Sequence, residues 1–366
     1  MGPRLLILHA GTAATSNVMR SLRAGDATVF IAGCHDDAFI LKNSGADRNF
    51  LVPSSARPAF VPALCRLIKK EHIDLVIPNS DADVSLISGI RAKLPCRVFL
   101  PRKSVIARCQ DKYALTAFLA RHRVPVASTY PVTALKHIES LFACLSPHKR
   151  LWCRIRKGTS SWGSIPVTSA KHARDWITYW QDMRGVPRGS FTLSEYLPGR
   201  DYCLQSLWSN GRLIMAKAHE RLTYHVAGGN PSGTSSTAAL AQMVFEPVVS
   251  RICAKAIRAL DANASGIFFT DLKENAQGVP CITEINAGRF ANVSTIHDAT
   301  SSYNMTTAYM RLALGESVAI RRSCRFPETC YVRRDIDMTP GVFESNGLFD
   351  GMQDLRARAY RQSTSI

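Results

Sequence analysis

Long apolar runs are missing from this 366-residue sequence. None reaches the roughly 18 residues that a membrane-spanning helix needs. The apolar start, Leu5 to Leu8, is too short for the core of a signal peptide and is followed by no cleavage pattern. It fits a first buried strand instead. We therefore expect a cytoplasmic protein without a membrane partner.

Cysteine pairs and metal-binding clusters of cysteine and histidine are also missing. The chain has 11 cysteines, an odd number, but no C-x-x-C pair and no Cys/His group at zinc spacing. These spacings argue against a disulfide framework and against a zinc site. We expect reduced thiols, most of them buried, in a reducing compartment.

Acidic residues are in the minority. Asp and Glu number 28 against 46 Lys and Arg, so the formal net charge is +18. Such a balance favours anionic partners: nucleotides, phosphorylated or carboxylated substrates, or nucleic acid. The basic residues form no run of five or more, however, and no aromatic RNA-binding motif accompanies them. We expect most of this charge on the solvated surface and no nucleic-acid partner.

Two phosphate-binding fingerprints are absent as well. The first predicted turn contains Gly11 but not G-x-G-x-x-G, which argues against a Rossmann-type oxidoreductase and favours a plain strand-to-helix turn. The glycine- and serine-rich segment 157–164 lacks the Gly-Lys-Ser/Thr ending of a Walker A loop. A nucleotide site in this chain must therefore be of another kind.

The first 110 residues alternate between apolar and helical segments, and 46% of the whole chain is hydrophobic. This alternation predicts a parallel sheet with helices on both faces, the α/β arrangement. The predicted strands are at 5–9, 27–32, 75–78 and 98–100, and predicted helices include 16–23 and 60–72.

From Asp111 onward the pattern becomes α+β, with separate helices and hairpins. The Asn210-Gly211 pair predicts a tight hairpin between 202–208 and 213–218. A last hairpin is predicted from 266–273 and 280–286, and 331–336 alternates like an edge strand. Further predicted strands are 151–156, 165–167 and 191–196, and predicted helices are 112–122, 134–145, 170–182 and 245–261.

The last hairpin carries a candidate metal site. Glu284 and Asn286 are two apart on a strand and so share one face. If the turn is centred near 276–277, Asp271 opposes Ile282 and joins that face. Two carboxylates and an amide oxygen suit Mg²⁺, or Mn²⁺, that keeps its other bonds for phosphates and water. The alternative is a solvated strand face with unrelated acids.

Two other segments suit a nucleotide. The segment 157–164 is rich in backbone N–H groups and hydroxyls and follows Arg154 and Arg156, a composition suited to phosphates. The segment from Glu195 to Asp201 places a strand end, a Pro-Gly turn and an acid in series, and the acid can accept hydrogen bonds from ribose hydroxyls. An ordinary surface loop and a plain strand–turn–strand are the respective alternatives.

The order of these features resembles the ATP-grasp superfamily. The series is Asp111-Lys112, Arg154, the segment 157–164, Glu195 to Asp201, Asp271 and Glu284-x-Asn286. It is most similar to the carboxylate–amine ligases whose ATP module resembles that of carbamoyl phosphate synthase and biotin carboxylase. The resemblance covers roughly residues 1–320.

This resemblance implies a domain organisation. A pre-ATP-grasp domain spans 1–110, and Asp81-Ala82-Asp83 resembles its acid-bearing strand end. A two-subdomain ATP-grasp fold spans 111–322, with a lid-bearing subdomain at about 125–195 and a C-terminal subdomain at about 196–322. A basic extension covers 323–366; the arginines that mark this region are Arg321, Arg322, Arg325, Arg333 and Arg334.

The resemblance also implies a role for individual residues. Arg154 stands where lysine is commoner, which keeps the charge and allows bidentate contact with phosphate. One extra residue separates Asn286 from Arg289 compared with the family pattern. The implied roles are ATP phosphates for Lys112 and Arg154, the lid for Ser161 and Gly163, adenine for Glu195 and the Leu197 backbone, ribose for Asp201, metal for Asp271, Glu284 and Asn286, and the transferring phosphate for Arg289 and Arg221.

The implied activity is ATP-dependent ligation. A carboxylate would be activated as an acyl phosphate and joined to an amine, which forms an amide or peptide bond and releases ADP and phosphate. Small-molecule carboxylates and amines are the implied partners, with a homodimer as the implied assembly. Residues 224–234 and 289–292 are candidate edges of the substrate pocket. The alternative is a non-catalytic nucleotide-binding protein of the same fold.

Overall fold

The structure is a computed structural model that describes residues 2–146, 148–158, 161–235, 237–320, 324, 326–327, 330–336 and 339–344. Its strands form a parallel four-stranded sheet, an antiparallel four-stranded sheet and an antiparallel seven-stranded sheet. The predicted combination of α/β and α+β parts is confirmed. Among the described residues, no helix is both long enough and apolar enough to span a bilayer.

The parallel sheet is built from the first part of the chain, and its strand order is β3-β2-β1-β4. Its strands are β1 (Arg4–Leu8), β2 (Phe30–His35), β3 (Arg48–Leu51) and β4 (Leu75–Ile77). Alternate residues of β1 enter two different cores, Leu5 on one face and Leu6 on the other. Both faces are therefore covered, which is why the inner strands read as continuous apolar runs.

One predicted strand in this part was wrong, and one strand was not predicted. The segment 98–100 is not a strand; the only pairing next to it is an isolated bridge between Leu75 and Arg97 within the described residues. The fourth strand is instead β3, whose residues are mostly exposed at the sheet edge. An exposed edge strand needs no apolar pattern, so the sequence pattern did not indicate it.

Helices pack on both faces of this sheet and lead into the next part of the chain. They are α1 (Ala13–Gly25), α2 (Ala38–Leu41), α3 (Phe60–Lys70), α4 (Asp81–Ile90), α5 (Lys103–Cys109) and α6 (Lys112–Arg121). Ser80 caps α4 by accepting a hydrogen bond from the Asp83 amide, and Asp111 caps α6 in the same way from Ala114. The caps fix the first turn of each helix and so position Asp81 and Lys112, which are the first residues of α4 and α6.

The antiparallel four-stranded sheet has the order β5-β8-β6-β7. Its strands are β5 (Thr129–Pro131), β6 (Leu151–Ile155), β7 (Ile165–Val167) and β8 (Phe191–Glu195). Helices α7 (Ile138–Cys144) and α8 (Ala170–Arg184) cover one face, where Ile177, Leu151 and Leu193 are fully buried. This core is separate from the other three, as expected for a subdomain with its own packing.

The seven-stranded sheet has the order β13-β12-β9-β10-β11-β14-β15. Its strands are β9 (Asp201–Ser209), β10 (Arg212–Tyr224), β11 (Ala238–Val244), β12 (Gly266–Glu274), β13 (Pro280–Ala287), β14 (Cys330–Arg333) and β15 (Gly341–Glu344). The predicted Asn210-Gly211 turn is confirmed: both residues have positive φ, 48° and 76°, and Ser209 pairs with Arg212.

Three details of this sheet differ from the sequence-based expectation. Strand β10 continues to Tyr224, six residues beyond its predicted end, and β11 was not predicted. The strand predicted at 331–336 is present as β14 but ends at Arg333, and it does not form the sheet edge, because β15 pairs with its outer side. The basic C-terminal extension is only partly described, and Arg321, Arg322 and Arg325 lie outside the described residues.

The remaining helices join the seven-stranded sheet to the parallel sheet. They are α9 (Pro247–Leu260), α10 (Asn292–Asp298) and α11 (Met305–Leu314), and single 3₁₀ turns lie at Arg91–Lys93, Leu135–His137, Arg188–Ser190 and Ala227–Gly229. Ser21 of α1 donates to Thr306 of α11 at 2.9 Å. Lys217 of β10 and Asp298 of α10 form a fully buried ion pair. These contacts hold the seven-stranded sheet against the helices that cover the parallel sheet.

Candidate functional site

The β12–β13 hairpin brings the predicted metal ligands together in an unpredicted register. Asp271 lies directly opposite Glu284, not Ile282 as the turn estimate gave. The register shifts at Thr283, which has no opposite residue and donates its hydroxyl to the Asp271 carbonyl at 3.1 Å. Directly opposed residues share one face, so the two carboxylates are immediate neighbours.

Glu284 is surrounded by cations. Lys112 Nζ lies 3.2 Å from Glu284 Oε2 and also donates to the Gly158 carbonyl at 2.5 Å. Burial opposes ionisation of Glu284, but Lys112, Arg154 and Arg289 outweigh it and hold the pKa of this carboxyl below its usual range. Glu284 is therefore an anion at neutral pH, and the capped start of α6 delivers the lysine that faces it.

Asp271 has a different partner. Arg221 of β10 donates to Asp271 Oδ1 at 2.5 Å and to Asp201 Oδ1 at 2.8 Å. Tyr224 donates its hydroxyl to the other Asp201 oxygen at 2.5 Å. Burial raises the pKa of Asp271 to about 6, against the lowering effect of Arg221 and with a further rise from Glu284. The midpoint of the Asp271 titration therefore lies just below neutral pH.

The chain supplies two carboxylates and an amide oxygen for a divalent cation, a donor set that suits Mg²⁺ or Mn²⁺. In this arrangement Arg221 holds one oxygen of Asp271, Lys112 one oxygen of Glu284, and Arg289 the amide oxygen of Asn286. The second oxygen of each carboxylate is outside these ion pairs. Within the described part of the chain, no group of three or more His, Cys, Asp or Glu residues could hold a metal, so Asn286 is needed to complete the set.

One cleft between the two antiparallel sheets collects most of the predicted nucleotide residues. Its walls come from β6 and β8 on one side and from β9, β12 and β13 on the other. The predicted residues that line it are Lys112, Arg154, Ser161, Glu195, Leu197, Asp201, Arg221, Asp271 and Glu284. They come from separate parts of the chain, so the fold alone brings them together.

The lining of the cleft combines apolar and charged groups. Trp152, Ile155, Leu197 and Ile282 supply apolar surface, which suits a flat base, and Glu195 lines the same cleft with its carboxylate 3.4 Å from the Ser128 amide. Arg154 donates to the Thr283 carbonyl at 3.1 Å. Its buried Nε atom has no partner among the described residues, so this donor is available to an anion.

Arg154 also shows what burial does to a cation. Burial lowers the pKa of its guanidinium, and the Glu284 carboxylate opposes that effect. A guanidinium stays protonated through the whole neutral range. Arg154 therefore brings a fixed positive charge next to Lys112 and Glu284.

The segment 157–164 is anchored at both described ends; Thr159 and Ser160 lie outside the described residues. Lys112 holds the Gly158 carbonyl, and Trp176 of α8 donates to the Gly163 carbonyl at 3.0 Å. Gly163 has φ of 65°, and a Cβ there would collide with the Ile155 side chain. Ser161 lines the cleft and also a neighbouring cavity beside α8, and Gly163 lines that neighbouring cavity.

Asn286 and Arg289 line a second cavity behind the carboxylates. Arg289 Nε lies 2.8 Å from Asp81 Oδ1 at the start of α4. The acid stretch after β4, noted from the sequence, therefore does approach the site. Asn79 accepts a hydrogen bond from the Phe290 amide at 3.0 Å, which fixes the backbone that follows β13.

Sequence reasoning missed two residues at this site. His219 and Arg334 line its second cavity, but neither was assigned a role. Tyr224 begins the segment 224–234 that was predicted as an edge of the substrate pocket, and its hydroxyl contacts Asp201. His219 and Arg221 are two apart on β10 and share a face, so a longer predicted β10 would have indicated the histidine. No local signal could have indicated Arg334, which follows β14.

Comparison with known proteins gives matches in structure but not in sequence. No protein-family model and no curated protein sequence matches the chain. A biotin carboxylase from Campylobacter jejuni, solved with β,γ-ATP, is 13% identical, has a TM-score of 0.68, and the match covers 90% of this chain and 74% of that one. An L-amino acid ligase from Bacillus licheniformis is 12% identical with a TM-score of 0.64, over 90% of this chain and 79% of that one.

A third structure adds a bound nucleotide and metal. The biotin carboxylase domain of 2-oxoglutarate carboxylase from Hydrogenobacter thermophilus, a dimer solved with magnesium ADP and bicarbonate, is 12% identical. Its TM-score is 0.68, and the match covers 90% of this chain and 73% of that one. At such identity the likeness concerns the fold, and it confirms the ATP-grasp fold that the order of motifs indicated.

Proposed function

We propose that this protein is an ATP-dependent ligase that joins a small carboxylate to an amine and releases ADP and phosphate. One observation carries the proposal: two adjacent, partly buried carboxylates, Asp271 and Glu284, share a single cleft with the cations Arg154, Lys112 and Arg221. Such a site combines ligands for a divalent cation with donors for phosphate oxygens. The shared fold with ATP-using carboxylases and an amino acid ligase supports the same class.

Each residue is assigned to the part of the nucleotide that its chemistry suits. The apolar surface beside Glu195 and Leu197 would hold adenine, and Asp201 the ribose. Lys112 and Arg154 would hold the phosphates, with Ser161 and Gly163 in the lid over them. Asp271, Glu284 and Asn286 would hold Mg²⁺ or Mn²⁺, which when bound neutralises charge on the phosphate oxygens.

The reaction needs positioning and charge neutralisation rather than a protein nucleophile. The substrate carboxylate attacks the γ-phosphorus, the bond to the β-phosphate oxygen breaks, and ADP leaves. The amine then attacks the acyl phosphate, loses a proton, and expels inorganic phosphate. Arg289 and Arg221 lie on either side of the carboxylates and would stabilise charge on the transferring phosphoryl group.

The domain organisation is part of the same proposal. Residues 1–110 would be a pre-ATP-grasp domain, 111–322 the ATP-grasp domain with subdomains at about 125–195 and 196–322, and 323–366 an extension. The small antiparallel sheet has a core of its own, which supports a separate lid-bearing subdomain, whereas the parallel sheet and the large antiparallel sheet share two cores. A homodimer would be its assembly.

A second candidate function is nucleotide binding without catalysis. It is favoured by the pairing of Asp271 with Arg221 and of Glu284 with Lys112, since the chain's own cations balance both acids. Carboxylate-dependent turnover distinguishes the two functions, because only a ligase releases ADP in response to an acid.

The test has two stages. Thermal unfolding is first measured with ATP alone, with Mg²⁺ alone and with both. If the protein is a ligase, ATP and Mg²⁺ together should raise its unfolding temperature. ADP release is then measured with a panel of amino acids and other carboxylates, for the wild type, for Glu284→Gln and for Glu316→Gln as a matched exposed control. We expect acid-dependent release in the wild type and control only. Mg·ATP binding without any such release would leave the non-catalytic function.

A further inference from the structure

A second cavity lies directly behind the carboxylates of the nucleotide cleft. Its volume is about 130 Å³, and it shares Arg221, Asp271 and Glu284 with that cleft. These three side chains therefore line both spaces. In the proposed ligase, a ligand in this cavity would lie beside the phosphates of the nucleotide.

Three residues that line this cavity, His219, Asn292 and Arg334, carry polar atoms without partners, and Arg334 follows β14, which lies four strands from the Asp271 strand β12. The atoms are His219 Nδ1, Asn292 Oδ1, and Arg334 Nε and Nη1, all buried and without a hydrogen bond to any described residue. Buried polar groups in folded proteins are nearly always paired, so such a group of atoms indicates a missing ligand.

Arg334 differs from the other arginines of the cavity in its charge balance. Arg289 lies beside Asp81, and Arg221 lies between Asp201 and Asp271. Arg334 has no carboxylate within 4.0 Å among the residues that the structure describes. Burial and the nearby Arg20 both lower its pKa, which shows a cation in an unfavourable environment. A bound anion would offset both the burial of this charge and its repulsion by Arg20.

The other unpartnered groups add no charge. Burial, Arg221 and His297 hold the pKa of His219 well below its usual range, so the imidazole is neutral at physiological pH. Asn292 is neutral as well. The cavity thus has one uncompensated positive charge, at the end away from Asp271 and Glu284.

We propose that this cavity binds the acid that the ligase activates, and that this acid carries a second anionic group which binds Arg334. The inference rests on the proposed ligase function. The reacting carboxylate would lie beside Arg289, at the wall shared with the nucleotide, and the second group at the opposite end. An engineered cavity of about 150 Å³ admits benzene, so a cavity of about 130 Å³ suits a short acid.

The second anionic group is a carboxylate or a phosphate-like group, and the test separates these sources. Acyl phosphate formation is followed as hydroxamate, with ATP, Mg²⁺ and hydroxylamine as a general amine. The probes are succinate, L-aspartate and L-glutamate as dicarboxylates, 3-phosphonopropionate as the phosphate-like acid, and succinamate, L-asparagine and L-glutamine as uncharged-end partners of similar size.

A charge-assisted contact contributes about 1.5–3 kcal/mol, so we expect kcat/KM for at least one dianionic acid to exceed that of its amide partner by on the order of 10- to 100-fold. Arg334→Gln should remove that preference through KM and leave the KM for ATP unchanged. Arg334→Lys should restore part of it. Arg333→Gln is the control, because Arg333 is 58% exposed and pairs with Asp335 on the same strand segment.

Several outcomes overturn the inference while leaving the ligase proposal intact. These are equal use of acids and their amide partners, and Arg334→Gln behaving like Arg333→Gln. Mg·ATP could stabilise the protein while no probe yields hydroxamate. Binding of the same acids is then measured with protein that is loaded with a non-hydrolysable ATP analogue. If the dianionic acids bind no better than their amide partners, the inference is overturned. Failure to bind Mg·ATP overturns the ligase proposal instead.

Discussion

Replacing Asp271 with asparagine should make the protein more stable above pH 6. The carboxyl has its pKa raised from the ordinary value of 3.8 to about 6 by burial and by Glu284, in spite of Arg221. At 1.36 kcal/mol per pKa unit, that rise corresponds to about 3 kcal/mol. An asparagine at this position resembles the protonated acid and avoids the penalty of burying the charge.

The direction follows from proton binding. The folded state binds the Asp271 proton more tightly than the unfolded state, so the contribution is fully present below pH 3.8 and is lost as pH rises through about 6. About 1.6 kcal/mol of the loss has occurred by pH 5 and a further 1.4 kcal/mol, approximately, accumulates by pH 8. Between pH 5 and pH 8, the difference in free energy of unfolding between Asp271→Asn and the wild type should therefore widen by about 1.4 kcal/mol.

Urea unfolding at pH 5 and pH 8 measures this gap directly. Asp175→Asn is the control, because Asp175 is 58% exposed and pairs with Lys171 on the same helix. A gap that is the same at both pH values would refute the assigned burial of charge. The ionised form is the one that can hold a cation, so the Kd for Mg·ATP should also fall as pH rises through 6 in the wild type but not in Asp271→Asn.

The remaining predictions concern catalysis, packing and the lid. Glu284→Gln is isosteric and should lower ADP release by about 10²–10³-fold while the protein still unfolds cooperatively, as measured by coupled assay and thermal unfolding; turnover near the wild-type rate would contradict the metal assignment. Lys217→Met leaves Asp298 buried and unpaired, so urea unfolding should show a loss of about 3–5 kcal/mol. A loss below about 1 kcal/mol would mean that water reaches this pair. Gly163→Ala forces a Cβ against Ile155 at positive φ, and should raise ATP hydrolysis relative to ligation; an unchanged ratio of phosphate to amide product would remove the lid role.

Local patterns were sufficient for much of the site because strands have a fixed side-chain period. Glu284 and Asn286 share a face from their spacing alone, and Asn210-Gly211 fixes its turn because both residues tolerate positive φ. The exact neighbour of Asp271 could not be predicted, because a bulge at Thr283 shifts the register by one residue and the sequence contains no signal for it.

The sequence by itself determined the parallel and antiparallel parts, the order of the motifs predicted to bind a nucleotide and the Glu284-x-Asn286 pair, since each depends on residues close together in the chain. Only the tertiary structure decided that Arg221 lies between Asp201 and Asp271, and that Arg334 reaches the cavity behind them. Those contacts join residues on separate strands, and which side chains meet across a sheet is set by strand order and register rather than by any local pattern.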